Sequence, residues 1–354
     1  MTGPVHLSRP VEEVGSRSEP GEVPREALTR DAHCAVSGSA TCNSSREINP
    51  DSSALIPTVH DGGDRAMSWA GNGDLTRREA ISLGAARLRA AGIETPRLEA
   101  RLLLAQATGT TPETLLGDPD RLAEIAQYEK LLRRREAREP LALILGHREF
   151  WSMEFAVSDA TLVPRPDSEA LIEAACAAFA DSPNPPRRIL DLGTGTGCLL
   201  LATLAEFPAA FGVGVDVSPA AVSLARRNAA MLGFGDSTAF IVADWGSAVT
   251  GRFDLVIANP PYVARAEIPL LIPEVGFYEP RGALDGGVDG LDAYRVLVPA
   301  LPALLASTGV AVFEIGFGQA AAVAALAADA GLTTSLAADL AGTPRAIVFR
   351  NASP

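Results

Sequence analysis

The sequence lacks the residues that would place it in several common classes of protein. It contains only four cysteines and four histidines in 354 residues, and the cysteines form no C-x-x-C pair. The cysteines are Cys34, Cys42, Cys176 and Cys198. This spacing argues against a structural zinc site or a disulfide framework and is typical of a protein of the reducing cytoplasm. We therefore predict a cytoplasmic protein without a metal site.

Long apolar runs and an excess of basic charge are also missing. No stretch approaches the ~20 apolar residues that a membrane-spanning helix needs. The first residues lack a basic segment followed by an apolar core, so a secretory signal is not expected. The net charge is −13, which argues against binding nucleic acid through its phosphates, because such binding depends on Lys and Arg. We expect a monomer that contacts neither membranes nor nucleic acid and that acts on a protein partner.

Changes in composition predict three parts of the chain. Residues 1–73 are rich in Ser, Gly, Pro, Glu and Arg and show no sustained apolar period. Such a segment buries too little apolar surface to offset the entropy of ordering, so we predict a disordered extension. Translation could also start at Met67, within this extension. We predict a small helical domain over residues 74–146. Over residues 147–354 we predict a hairpin linker followed by a larger domain.

Local signals predict where the helices and strands lie. Thr76 and Glu79 form a capping box ahead of a first helix. Thr-Pro pairs at 95–96 and 111–112 predict two further helix starts, and Asp118-Pro119 predicts the start of a fourth helix, with the helical domain ending near Pro140. A hairpin is expected within 147–163. Six strands then follow, at 188–192, 211–215, 240–242, 255–258, 309–314 and 344–349, with helices at 199–206, 220–232 and 319–330. This alternation is typical of a mostly parallel sheet covered on both faces.

A glycine-rich loop follows the first strand of the larger domain. Its residues are Asp191, Gly193, Thr194, Gly195, Thr196 and Gly197. Glycine allows a sharp backbone turn and lets a ligand approach closely. Dinucleotide-binding folds use similar loops, so the loop alone does not identify its ligand, and a tight turn without any ligand is also open.

Acidic residues near this loop distinguish between two adenosine cofactors. Asp216 ends the next strand, where a carboxylate can accept both ribose hydroxyls of NAD or of S-adenosylmethionine. Asp191 favours S-adenosylmethionine, because a carboxylate repels a pyrophosphate and attracts the ammonium of a methionine. Asp244 is expected to accept from the adenine amino group, and Trp245 to cover the adenine face. Taken alone, Asp216 could be a solvated carboxylate at a strand end, and Trp245 a core residue.

The tetrapeptide Asn259-Pro260-Pro261-Tyr262 follows the fourth strand, at the edge where ligands of open α/β sheets bind. The side-chain oxygen of Asn259 and the main-chain carbonyl of Pro260 can accept the two N–H groups of a primary amide. Pro261 has no N–H and adds no competing donor, and Tyr262 can pack against the amide plane. We predict that all four residues bind the substrate, that Asn259, Pro260 and Tyr262 are catalytic, and that Asn259 also contacts the cofactor. The alternative is a rigid turn without a ligand.

At these residues the chain resembles the HemK/PrmC family of N(5)-glutamine methyltransferases, which modify peptide chain release factors. The Asn-Pro-Pro-Tyr tetrapeptide is shared with other amino-directed methyltransferases, including adenine-N6 enzymes. Three further stretches resemble this family in particular: Gly146–Trp151, Pro164–Glu169 and the segment from Glu279 to Asp292. The likeness covers about residue 74 to the C-terminus. The extension and Cys198, where Ala is commoner, depart from the family pattern.

The resemblance implies a seven-stranded, Rossmann-like class I methyltransferase sheet, joined through a β-hairpin to a small all-helical N-terminal domain that helps hold the release factor. It also implies S-adenosyl-L-methionine as cofactor and a substrate glutamine within a Gly-Gly-Gln motif. The Gly193–Gly197 loop, Asp216 and Trp245 would contact the cofactor, and Asn259–Tyr262 the glutamine. Three alternatives stay open: a glutamine methyltransferase of a ribosomal protein, a nucleic-acid adenine methyltransferase, which the acidic charge disfavours, and a silent binding module.

Overall fold

The computed structural model describes residues 75–339 and 341–352. The extension predicted over residues 1–73, and with it Met67, lies outside the described residues. Five helices form the N-terminal region: α1 (Arg77–Ala90), α2 (Pro96–Thr108), α3 (Pro112–Gly117), α4 (Ile125–Glu136) and α5 (Leu141–Leu145). They enclose their own apolar core, whose largest fully buried side chains are Tyr128, Leu88, Leu103, Leu104, Leu115 and Leu132.

The capping box at the start of α1 is present as predicted. Thr76 accepts through its side chain from the main chain of Glu79, and Glu79 accepts in return from the main chain of Thr76. Each bond satisfies a main-chain N–H that the first helical turn would otherwise leave without a partner.

The predicted start of the fourth helix at Asp118-Pro119 is wrong, because α4 begins at Ile125. The residues between them pair with the chain that enters α1. Arg77 N donates to Arg121 O at 2.9 Å, and Ala123 N donates to Leu75 O at 2.8 Å. These long-range bonds compete with helix formation in a segment that local signals alone would make helical. The helical region also continues past Pro140, since α5 follows before the hairpin.

The chain then forms a hairpin of β1 (His147–Phe150) and β2 (Met153–Ala156), which pair antiparallel, followed by a seven-stranded sheet. The strands of the sheet are β3 (Arg188–Leu192), β4 (Phe211–Asp216), β5 (Thr238–Val242), β6 (Phe253–Ala258), β7 (Leu305–Glu314), β8 (Leu332–Ala338) and β9 (Pro344–Asn351). Their order is β5-β4-β3-β6-β7-β9-β8. The first five run parallel, and β9 lies antiparallel to both β7 and β8. The predicted seven-stranded class I methyltransferase sheet is thereby confirmed.

Helices cover both faces of this sheet, each over its own core. The covering helices are α6 (Glu169–Phe179), α7 (Cys198–Glu206), α8 (Pro219–Met231), α10 (Asp292–Leu304) and α11 (Ala320–Asp329), while the short α9 (Pro273–Gly276) lies in the chain after β6. Apolar residues of α6, α7 and α8 pack with the hairpin on one face, and those of α10 and α11 pack on the other. Because both faces are apolar, the strand ends and the loops beyond them are where polar chemistry can be placed.

The residue patterns miss α6, α10 and β8. Helix α10 contains Pro299 and Pro302, which read as helix breakers in a sequence. Strand β8 is largely exposed and carries Thr333, Thr334 and Ser335, so it lacks the apolar signal of the central strands. Helix α10 packs against buried residues of distant strands, such as Leu190 and Val256, whereas β8 pairs with β9, which follows it after a short turn.

An ionic cluster ties the helical region to α9. Glu274 accepts from Arg135 at 2.9 Å and from Arg138 at 2.7 and 2.8 Å. The pKa of Glu274 lies below its usual range; burial alone would raise it, but the bonds from the two guanidinium groups outweigh that effect. Among the residues that the structure describes, no helix combines the length and the apolar character needed to cross a membrane.

Candidate active site

A cavity of about 320 Å³ lies at the carboxyl ends of β3, β4, β5 and β6. This is the edge at which ligands of open α/β sheets bind. Nine of the residues predicted from the sequence to form the site line it: Gly193, Thr194, Gly195, Thr196, Asp216, Asp244, Trp245, Asn259 and Pro261. Asp191, Gly197, Pro260 and Tyr262 lie behind this lining in the adjoining chain segments. The structure thus brings segments that are far apart in the sequence to one cavity.

The glycine-rich loop turns back over β4. The main-chain N–H groups of Gly193 and Thr194 both donate to Val215 O, at 2.8 and 2.9 Å. Gly193 has a φ of +79°, and a Cβ on it would lie 3.3 Å from the ring of Trp245. Only glycine combines this backbone conformation with such a close neighbour at no steric cost. The loop therefore needs glycine for its own path as well as for any ligand.

Asp216 is fixed by main-chain donors on both of its oxygens. Gly195 N donates to Oδ2 and Ser218 N donates to Oδ1, each at 2.9 Å. A carboxylate has about four lone-pair sites, so each oxygen can accept one further hydrogen bond. Two neighbouring hydroxyls, such as those of a ribose, match this pair of acceptors.

Asp191 is fully buried, and only one of its two carboxylate oxygens receives a hydrogen bond among the described residues. Thr194 Oγ1 donates to its Oδ2 at 2.6 Å, whereas Oδ1 has no hydrogen-bond partner within the described part of the chain. Burial, with a smaller contribution from the nearby charge of Asp216, raises the pKa of Asp191 to about 7, although the hydrogen bond from Thr194 opposes the rise. A buried acceptor without a donor is costly, so this oxygen fits a ligand that brings a donor, above all a cationic one. The Thr161 hydroxyl, in the cavity wall, is likewise buried and has no hydrogen-bond partner among the described residues.

Trp245 belongs both to the cavity and to the core. Its backbone has a φ of +47°, in the left-handed region that non-glycine residues seldom adopt. The half-buried ring lies over Gly193 and packs at the edge of the core that contains Leu190 and Leu192. Asp244 beside it is exposed. The two interpretations that the sequence left open for Trp245 are therefore compatible.

Asn259 presents one side of its amide to the protein and leaves the other free. Its Nδ2 donates to Ser168 Oγ at 3.2 Å. No donor reaches Asn259 Oδ1 or the main-chain oxygen of Pro260 anywhere in residues 75–339 and 341–352. Pro260 is buried, and Tyr262 is half-buried. Two neighbouring acceptors without donors are what a primary amide, with its two N–H groups, can satisfy.

Residues behind Asn259 form hydrogen bonds that the sequence did not reveal. Ser168 Oγ donates to Glu314 Oε2 at 2.5 Å, and Tyr262 OH donates to Glu314 Oε1 at 3.1 Å. Tyr294 OH donates to the main-chain oxygen of Glu314 at 2.7 Å. A signal for Glu314 was present, since it ends the apolar strand β7 at the same sheet edge as Asp191, Asp216 and Asn259.

The Pro164–Glu169 segment, which the sequence analysis could only relate to a family, now has contacts at nearly every polar position. Arg165 donates twice to Glu279, both times at 2.7 Å, and Asp167 accepts from Arg345 at 3.0 Å. Glu169 accepts from the main chain of Trp151 in the hairpin at 3.0 Å. The segment therefore fastens the hairpin, the chain after β6 and the last strands around the cavity.

Comparison with known proteins identifies both regions of the chain. Residues 79–146 match the PrmC N-terminal domain, and residues 168–278 match the methyltransferase small domain. The release factor glutamine methyltransferase of Rhodospirillum rubrum is 47% identical over 274 residues, which cover 76% of this chain and 83% of that protein. Those of Bradyrhizobium diazoefficiens and Cereibacter sphaeroides are 46% and 44% identical, over 93% and 97% of their lengths.

The two family models together cover the helical region and the part of the chain that carries the glycine-rich loop, Asp216 and the Asn259 turn. The identity is well above the level at which only a shared fold could be inferred. This chain is an enzyme and belongs to the release factor glutamine methyltransferase family.

Proposed function

We propose that the protein transfers a methyl group from S-adenosylmethionine to the side-chain amide nitrogen of the glutamine in the Gly-Gly-Gln motif of peptide chain release factors. The observation that carries the proposal is a pair of neighbouring acceptors, Asn259 Oδ1 at the cavity and Pro260 O in the adjoining turn, which have no donor within the described residues. A glutamine amide brings the two N–H groups that such a pair can accept.

The cofactor would be held by residues whose unused hydrogen-bonding capacity fits it. Asp216 has room for two hydroxyl donors of a ribose. Asp191 Oδ1 is a buried acceptor suited to the methionine ammonium. Trp245 offers a ring face to the adenine, and the exposed Asp244 can accept from its amino group.

The cofactor, when bound, supplies an electrophilic methyl group, so no strong base is required before the amide nitrogen attacks. Asn259 and Pro260 orient that nitrogen by accepting both of its protons in hydrogen bonds. The same acceptors favour the positive charge that develops on nitrogen as the new bond forms. Tyr262 packs beside the turn that carries them. The proton that nitrogen loses after transfer passes to water.

Transfer of labelled methyl from the cofactor to candidate substrates tests this proposal. The purified enzyme should label an intact release factor and should not label the same factor with the motif glutamine changed to glutamate. A large-subunit ribosomal protein and adenine-containing DNA, offered at equal concentration, should remain unlabelled. Label on the ribosomal protein or the DNA alone would assign the chain a different substrate, and label on none would contradict methyl transfer.

A further inference from the structure

A buried hydrogen-bonded chain runs from Asn259 into the protein interior. It passes from Asn259 Nδ2 to Ser168 Oγ at 3.2 Å and from Ser168 Oγ to Glu314 Oε2 at 2.5 Å. Ser168 and Glu314 are 3% and 1% exposed. The three residues come from three separate segments, the turn before α6, the end of β6 and the end of β7, so only the fold brings them together.

Burying the Glu314 carboxylate at this position costs free energy. No Lys, Arg or His nitrogen lies within 4.0 Å of Glu314 in the part of the chain that the structure describes. Its carboxylate is held instead by two neutral hydroxyl groups, those of Ser168 and Tyr262. A buried carboxylate without a cation costs several kcal/mol, and hydrophobic residues of similar size would often be at least as stable. Stability alone therefore gives a weak reason for this residue.

The number of hydrogen-bond donors around Ser168 gives a better reason for the presence of Glu314. Burial raises the pKa of Glu314, and the hydrogen bonds from Ser168 and Tyr262 oppose that rise. In its ionised form the carboxylate can only accept, and the single hydroxyl proton of Ser168 then points to Glu314. The Ser168 oxygen is then left with lone pairs only, and it must accept from Asn259. Consequently the NH2 group of Asn259 faces Ser168, and Oδ1 faces away from it. If the Asn259 side-chain amide were rotated by 180°, its NH2 group would face the two N–H groups of the substrate amide. Donors would then face donors, and no hydrogen bond could form.

We infer that Ser168 and Glu314 are positioning residues that fix which end of the Asn259 side-chain amide faces the substrate glutamine. The inference rests on the proposed function, because it concerns acceptance of the substrate N–H by Asn259 Oδ1. Tyr262 and Tyr294 keep Glu314 in place through its second oxygen and its main chain.

The test compares Ser168→Ala with Ser168→Thr, which restores a hydroxyl at the same carbon. Ser168→Ala should lower kcat by about 10- to 100-fold, the effect of one hydrogen bond in a charged network. KM for the release factor and the Kd of S-adenosylhomocysteine should stay within about twofold, and the threonine variant should regain most of kcat. Thr203→Val removes another fully buried hydroxyl, which donates to Leu199 O within α7, and should leave kcat unchanged.

Glu314→Gln provides a second variant of nearly the same shape. Glutamine offers one acceptor oxygen to two hydroxyl donors, so either Ser168 or Tyr262 must reorient, and kcat should fall while the thermal melting curve stays cooperative. A Ser168→Ala enzyme with wild-type kcat, beside an inactive Asn259→Ala enzyme, would overturn the inference and leave the proposed function standing. Failure of the wild-type enzyme to label any release factor would instead overturn the proposed function.

Discussion

The two halves of the cavity are built by different means. The half predicted to hold the cofactor is made of main-chain groups and of residues close together in the sequence. Asp216 accepts from Gly195 N and Ser218 N, and the loop N–H groups of Gly193 and Thr194 reach back to β4. The geometry around Asp216 follows from the glycine-rich loop and two adjacent strands, and Trp245 joins it from the chain after β5.

The half predicted to hold the substrate amide depends on side chains instead. Asn259 reaches Ser168, which is 91 residues away in the sequence, and Ser168 reaches Glu314, 146 residues away. Tyr262 joins the same carboxylate. Main-chain N–H groups keep their positions after most side-chain substitutions. A series of hydrogen-bonded side chains, in contrast, is interrupted when one of its residues is replaced. Substitutions in the two halves should therefore have different effects. Those in the cofactor half should weaken cofactor affinity, and those in the substrate half should lower kcat.

The largest effect is expected for Asn259→Ala. Deletion of one preorganised hydrogen-bonding group from a transition-state site costs about 2.7–4 kcal/mol, so kcat should fall about 100- to 1,000-fold. The Kd of S-adenosylhomocysteine, measured by calorimetry, should change little. Asn259→Asp keeps an acceptor and should retain more activity than the alanine variant. An alanine variant that labels release factor at the wild-type rate would remove Asn259 from the mechanism.

Asp216→Ala should produce the opposite pattern. A hydrogen bond to a charged group contributes about 1.5–3 kcal/mol, so the Kd of the cofactor should rise by about one to two orders of magnitude. The value of kcat at saturating cofactor should fall far less than in the Asn259→Ala enzyme. Calorimetric titration measures the affinity, and Asp216→Asn serves as the control that keeps the shape but removes the charge. Unchanged affinity in both variants would mean that Asp216 lies outside the cofactor site.

The same contrast explains what could be predicted from the sequence. The Asp191–Gly197 loop and Asp216 stand at fixed offsets from strand ends, and the structure places most of them around the cavity. Ser168 and Glu314 carry no local signal of a shared role, because their meeting depends on α6, which Ser168 precedes, packing against β7. The late start of α4 was missed because the segment before it pairs with the chain that enters α1, and β8 was missed because its exposed residues show no apolar pattern.

A smaller effect on rate is expected for Tyr262→Phe, which keeps the ring and removes the hydroxyl. Glu314 Oε1 would lose its donor, while Oε2 would still hold Ser168. We expect kcat to fall by up to about tenfold, less than in the Ser168→Ala enzyme, since one hydrogen bond contributes about 0.5–1.5 kcal/mol. Steady-state kinetics with release factor would measure this. A loss as large as that of Asn259→Ala would show that the Tyr262 hydroxyl itself acts on the substrate.

The smallest expected signal concerns the proton on Asp191, in the cofactor half. Its pKa is raised from the ordinary 3.8 to about 7 in the folded protein, mainly by burial. Between these two values the folded chain holds a proton that the unfolded chain has lost. The stability of the free enzyme should therefore fall as the pH rises from about 4 through 7 and level off above that. Asp191→Asn should lack this component, as a comparison of melting temperatures across that range would show.

Binding of the cofactor should reverse this protonation if Asp191 Oδ1 receives the methionine ammonium. A cation beside a carboxylate favours the ionised form, so the pKa of Asp191 should fall well below 7 in the complex. Near neutral pH part of the free enzyme carries this proton, so binding of S-adenosylhomocysteine should release a measurable fraction of a proton per site. Calorimetry in two buffers of different ionisation enthalpy measures that release. Equal release by the wild-type and Asp191→Asn enzymes would place the ammonium elsewhere, and the main-chain groups of the loop would then hold the cofactor without this carboxylate.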